Sequence, residues 1–118
     1  MAKVLIIEDD WLHLDFLCDT VKYSGHTPIM AKSTNHAAKL YNEIKIDLII
    51  TDIYLPGLTG LDFIKAIRSK NKHIPLIVVT GSIDDENEKV CIQLKVAEYI
   101  QKPVDPELLI QKINSLLD

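Results

Sequence analysis

The sequence predicts a doubly wound α/β sandwich: a five-stranded parallel sheet with helices on both faces. Three observations carry this. Short apolar runs alternate with longer amphipathic stretches through all 118 residues. The clearest runs, LIIT and LIVVT, are continuous and rich in β-branched residues, as parallel strands covered on both faces should be. Five strand–helix units account for almost the whole length.

Taken in order, Lys3–Ile7 is the first strand. The helix after it carries Leu14, Leu17, Cys18 and Val21 on one face and can be closed by Gly25. Thr27–Ala31 is the second strand. Ser33 or Thr34 caps the next helix, whose apolar face is Ala37, Leu40, Tyr41 and Ile44. Asp47–Thr51 forms the third strand, and Leu61, Ile64 and Ile67 or Arg68 mark the third helix. Leu76–Thr80 is the fourth strand, with a helix starting at Asp84 or Asp85. Ala97–Ile100 is the least distinct strand. Asp105-Pro106 then opens the last helix, with Leu109, Ile113 and Leu116 facing inward.

Composition narrows the class. Hydrophobic residues make up 47% of the chain, too many for a disordered tail. Seventeen acidic residues against 13 basic ones give a net charge of -4, which disfavours a nucleic-acid surface. Cys18 and Cys91 fall in apolar-periodic stretches and read as reduced core thiols, which suits a cytoplasmic protein. MAKVLII is no signal peptide, and no apolar run approaches a membrane span.

Right-handed crossovers place every strand's C-terminal end on one edge, where such folds keep their sites. That edge holds Glu8, Asp9 and Asp10 after strand one, Asp52 after strand three, Thr80 after strand four and Lys102 after strand five. Close carboxylates repel one another, and a hard cation resolves the conflict. Mg²⁺ accepts few protein ligands and keeps waters, so Asp9, Asp10 and Asp52 read as its ligands. Lys102 and the Thr80 hydroxyl complete a place for a phosphoryl group. In DLIITDIYLPGLTG, Pro56-Gly57 reads as a turn, and Gly60 permits a tight backbone position. That loop can offer the Tyr54 backbone carbonyl as a further ligand, with the Tyr54 side chain on the rim. Each residue also has a bland reading: a cap for Asp10, a turn hydroxyl for Thr80, a solvated lysine for Lys102. Their convergence on one edge favours a site.

Over essentially its whole length the chain resembles a receiver domain of the bacterial two-component response regulators. VLIIEDD, LIITDIYLPGLTG, LIVVTG and YIQKP carry the resemblance by their order and spacing. It implies a flavodoxin-like sheet of order 2-1-3-4-5 and a signalling domain rather than an enzyme. Asp52 would be phosphorylated by a sensor histidine kinase or histidine phosphotransfer protein. Asp9, Asp10 and the Tyr54 carbonyl would help hold Mg²⁺, while Thr80 and Lys102 contact the phosphoryl oxygens. Lys102-Pro103 would be a cis peptide. Tyr99 would turn inward behind Thr80, remodelling the face of helix four, strand five and helix five for a downstream protein or output domain, or for a phosphorylation-dependent homodimer. Neither direct nucleic-acid binding nor a membrane is implied.

Three features depart from the family pattern: Lys95-Val96 where Gly-Ala is usual, Gly81 where alanine is commoner, and bulky Trp11 after the acids. Other classes fit less well. A haloacid-dehalogenase-like phosphatase needs an acid where Tyr54 stands, and a flavodoxin-like binding module needs hydroxyls and glycines where Asp9-Asp10-Trp11 stand. A receiver-shaped module that never takes phosphate would be expected to lack an acid or the lysine. The chain is expected to be one receiver, residues 1–118, without an output domain. It is either a stand-alone relay or a piece of a larger regulator.

Overall fold

The computed structural model describes residues 1–55, 59–82 and 84–117. Five strands and five helices alternate: β1 (Lys3–Ile7), α1 (Trp11–Tyr23), β2 (Thr27–Ala31), α2 (Thr34–Glu43), β3 (Leu48–Asp52), α3 (Gly60–Lys70), β4 (Leu76–Thr80), α4 (Asp85–Gln93), β5 (Glu98–Gln101) and α5 (Pro106–Leu117). The strands form one sheet of order β2-β1-β3-β4-β5, with every neighbouring pair parallel. The sandwich expected from the sequence is the one observed. Its third and fifth strands each begin one residue later than predicted, at Leu48 and Glu98.

Strand alternation builds two cores. Leu5, Ile7, Ile49, Leu76 and Val78 face one side, packing with Ala37 of α2, Phe63, Ile64 and Ile67 of α3 and Cys91 of α4. Val4, Ile6, Leu48, Ile50, Ile77 and Val79 face the other, against Leu14, Leu17, Cys18 and Val21 of α1 and Leu109 and Ile113 of α5. Both cysteines are free and buried, and burial pushes each thiol up to about 11. Among the described residues, no helix is long and apolar enough to cross a membrane.

Capping residues set where the helices begin. Asp10, Ser33, Thr59 and Asp84 each have extended backbone, and each side chain accepts a hydrogen bond from an amide in the first turn of α1, α2, α3 and α4. At α5 the Asp105 carboxylate accepts from the Glu107 amide at 3.0 Å, with Pro106 first in the helix as expected. The turn expected at Pro56-Gly57 lies outside the described residues.

Candidate functional site

At the C-terminal edge of the sheet, the Glu8 N–H still donates to the Ala31 carbonyl at 3.1 Å, extending the β1–β2 pairing one residue beyond the strand. This holds Glu8 in the wall of the pocket, where only 1% of it is exposed. Asp52 ends β3 and is 7% exposed. Lys102, just after β5, reaches back between the two acids. Its Nζ donates to Glu8 Oε1 at 2.8 Å and to Asp52 Oδ2 at 2.7 Å.

Electrostatics follow from this geometry. Burial alone would raise the Glu8 carboxyl, but donors from His13, Lys102 and the Asp10 amide overcome it and bring the group down to about 2. Burial pulls the Lys102 ammonium down, and its bonds to Asp52 and Glu8 more than reverse that, leaving it above the usual lysine value. Asp9 moves the other way. Its carboxyl is raised, first by burial and then by the neighbouring Glu8, with the Asp52 charge adding to the effect. One lysine therefore does not neutralise the cluster.

Asp9 feels the charge of Asp52 across the edge, and Asp10 begins the helix beside it. Its exposed side chain caps α1, with Oδ1 accepting from the Leu12 amide at 3.1 Å. That oxygen is turned to its helix, and Glu8 supplies the acid facing Lys102. Sequence reasoning placed Glu8 on the edge without giving it a task. It missed His13 altogether, whose Nδ1 lies 2.6 Å from Glu8 Oε1. No periodicity rule links a strand end to a helix residue five positions on, so the pairing has no sequence signal.

The other expected residues surround this line. The Tyr54 N–H donates to Asp52 Oδ1 at 3.1 Å, while the hydroxyl of the half-exposed ring accepts from the Asn87 side-chain Nδ2 at 3.0 Å. Fully buried Thr80 donates its hydroxyl to the Ser82 carbonyl at 3.0 Å. Tyr99 packs its ring against the core under α4, and its buried hydroxyl makes no hydrogen bond among the described residues. The Lys102-Pro103 peptide is cis. Trp11 stands on the rim, 58% exposed, with the Lys32 ammonium 4.6 Å from its ring centre.

The donors on this edge are hard oxygens with excess negative charge at Asp9, which fits a hard divalent cation. Among the described residues no three acids, histidines or cysteines are grouped to hold a metal by themselves. Mg²⁺ is commonly bound by one or two carboxylates with waters retained.

The chain is similar to known proteins in sequence and fold. The family model described as the response regulator receiver domain matches residues 4–114. A cyclic di-GMP phosphodiesterase of Thermotoga maritima is 34% identical over 97% of this chain, which spans 30% of that protein. Protein PilH of Pseudomonas aeruginosa is 32% identical, with 99% of this chain and 98% of PilH covered. The crystal structure of a response regulator receiver domain protein from Clostridium thermocellum superposes with a TM-score of 0.92 at 28% identity, covering 99% of this chain and 94% of that one. The chain spans between 30% and 51% of the length of the first curated relatives it matches. With the sheet order, the acidic edge and the match over nearly all its residues in agreement, the chain belongs to the response regulator receiver domain family, the signalling domains of two-component systems.

Proposed function

We propose that Asp52 accepts a phosphoryl group from a phosphohistidine on a sensor histidine kinase or phosphotransfer protein. The observation that carries this reading is the Lys102 ammonium bridging Asp52 and Glu8 at 2.7 and 2.8 Å on the strand edge. A carboxylate approaching an anionic phosphoryl group meets repulsion unless positive charge is already in place. Lys102 supplies it without a large rearrangement, because its Nζ already touches the acceptor.

In the transfer, an Asp52 carboxylate oxygen attacks phosphorus as the phosphorus–nitrogen bond to the donor imidazole breaks. The electron pair leaves with the imidazole nitrogen. The Tyr54 N–H holds Oδ1 and Lys102 holds Oδ2, so the acceptor is oriented before the donor arrives. Asp9, Asp10 and Asp52, with the Tyr54 main-chain carbonyl, would hold Mg²⁺, whose charge would add to that of Lys102 in stabilising the phosphoryl group. Slow hydrolysis of the acyl phosphate returns the domain to its starting state.

The signal leaves through Thr80 and Tyr99. For Thr80 to contact the phosphoryl group, its hydroxyl must leave Ser82, which remodels the loop before α4. The α4–β5–α5 face then presents a changed surface to a downstream protein, an output domain or a second copy of the chain.

Acetyl phosphate with Mg²⁺ should add one phosphoryl group, read by intact-mass measurement. Asp52→Asn should take none, and Lys102→Ala should be slowed by about a hundredfold or more, the scale of losing one charge-stabilising group. Modification of Asp52→Asn at the parent rate would place the acceptor elsewhere.

A further inference from the structure

His13 belongs to no part of the mechanism above, yet it makes the shortest side-chain contact in the pocket. It lies in the first turns of α1, with its side chain 17% exposed, and its Nδ1 is 2.6 Å from Glu8 Oε1. The same carboxylate oxygen receives Lys102 Nζ at 2.8 Å, while Oε2 accepts the Asp10 N–H at 3.2 Å. An ionised carboxylate only accepts, so Nδ1 carries the proton in this pair. Nε2 is buried and makes no hydrogen bond among the described residues. The imidazole lies nearly parallel to the Phe16 ring, with centroids 5.8 Å apart and planes 21° from parallel, and this contact limits its rotation.

A continuous line results: His13, Glu8, Lys102, Asp52. Glu8 is a buried anion, and a buried anion binds whatever donors it can reach. With His13 in place, Oε1 shares its charge between an imidazole N–H and the lysine. Without His13, Lys102 becomes the one side-chain donor left to Glu8 among the described residues, and its ammonium is drawn away from Asp52.

We propose that His13 is a positioning residue for phosphoryl transfer, whose hydrogen bond to Glu8 keeps the Lys102 ammonium on Asp52. This rests on Asp52 being the acceptor and Lys102 its charge partner. It adds a residue on α1, outside the strand ends, that determines how fast the acceptor reacts.

The test follows acetyl phosphate transfer with Mg²⁺ in the parent and in His13→Leu, His13→Asn and Glu8→Gln. Asparagine carries an N–H at the same branch point as Nδ1, so it should restore the bond that leucine removes. His13→Leu should lower the maximal rate by about tenfold, an effect the size of one hydrogen bond to a charged group, with the concentration dependence on acetyl phosphate unchanged. His13→Asn should recover most of it, and adding His13→Leu to Glu8→Gln should cost nothing more. Should the leucine variant not fold, His13→Gln, whose donor sits one bond further out, takes its place. A disrupted variant reacting at the parent rate overturns the proposal, as does an equal loss in the Glu8→Gln background. The Lys102 Nζ resonance in ¹⁵N NMR of the unmodified protein is read alongside. It should move in the disrupted variant and return in His13→Asn, and an unmoved resonance also overturns the proposal. If the parent takes no phosphoryl group at all, the acceptor reading fails, and the resonance alone decides whether His13 positions Lys102.

Discussion

A Cβ on Gly60 would overlap the main-chain carbonyl of Asp52 and crowd Ile53, and the Gly60 N–H donates to the Ile53 carbonyl at 2.9 Å. The first turn of α3 thus lies directly on the backbone that carries the acceptor, and only a residue without a side chain fits. Gly81 is the opposite case. Among the described residues a Cβ there would meet nothing closer than the Lys102 side chain at 3.9 Å, an ordinary contact. Gly60→Ala should destabilise the domain by about 1–3 kcal/mol through overpacking and slow Asp52 modification as well. Gly81→Ala should stabilise it by roughly 0.4–1 kcal/mol, because alanine restricts the unfolded chain and its methyl can rest on Lys102. Urea denaturation of both variants checks the two signs, and opposite signs are the expected result.

Helices α1 and α4 end in the same way with different residues. Beyond α1, Gly25 has φ +90, with its N–H on the Lys22 carbonyl and that of His26 on the Val21 carbonyl. Beyond α4, Lys95 adopts φ 58, with its N–H on Ile92 and that of Val96 on Cys91. The Lys95-Val96 departure therefore keeps the usual helix end but forces a side chain into left-handed backbone. Arg68 of α3 braces it, donating to the carbonyls of Leu94 at 2.7 Å, Lys95 at 3.1 Å and Ile74 at 2.8 Å. Lys95→Gly should relieve the strain and raise stability by about 1 kcal/mol. Thermal unfolding tests this, and a destabilised Lys95→Gly would mean that the lysine side chain contributes more than its backbone costs.

For the whole domain, the acidic edge links stability to pH. The Glu8 carboxyl is held at about 2 in the folded protein against an ordinary 4.5. A lowered carboxyl stabilises the fold above the unfolded value and loses that contribution as pH falls through the folded one. Stability should therefore decline between about pH 4.5 and 2, by on the order of 3 kcal/mol from this group. The raised Asp9 carboxyl acts in the reverse sense, its contribution being lost as pH rises above the ordinary aspartate range. Denaturant titrations from pH 2 to 6 should show the decline in the parent and a flatter curve in Glu8→Gln. An equally steep curve in that variant would assign the acid sensitivity to other groups.

The linear pattern determined the elements and their sandwich. Strands β1, β3 and β4 are buried on both faces, so their apolar runs stand out from the chain around them. Strands β2 and β5 close the sheet's two edges and are only half-buried, and for the last of these the sequence signal was faint. The strand-end rule likewise assigns Asp9, Asp52 and Lys102 to one edge from the sequence alone. Tertiary structure decided how the acids divide their work. Whether a carboxylate caps a helix or faces a lysine depends on where the backbone stops pairing, and the Glu8 bond to Ala31 places that point one residue beyond β1. Asp10 then became the cap, Glu8 the buried partner of Lys102, and His13 the donor that completes Glu8. Hydrophobic period specifies which face a residue occupies, but the direction of a polar side chain is settled only by the partners that folding brings within hydrogen-bonding distance.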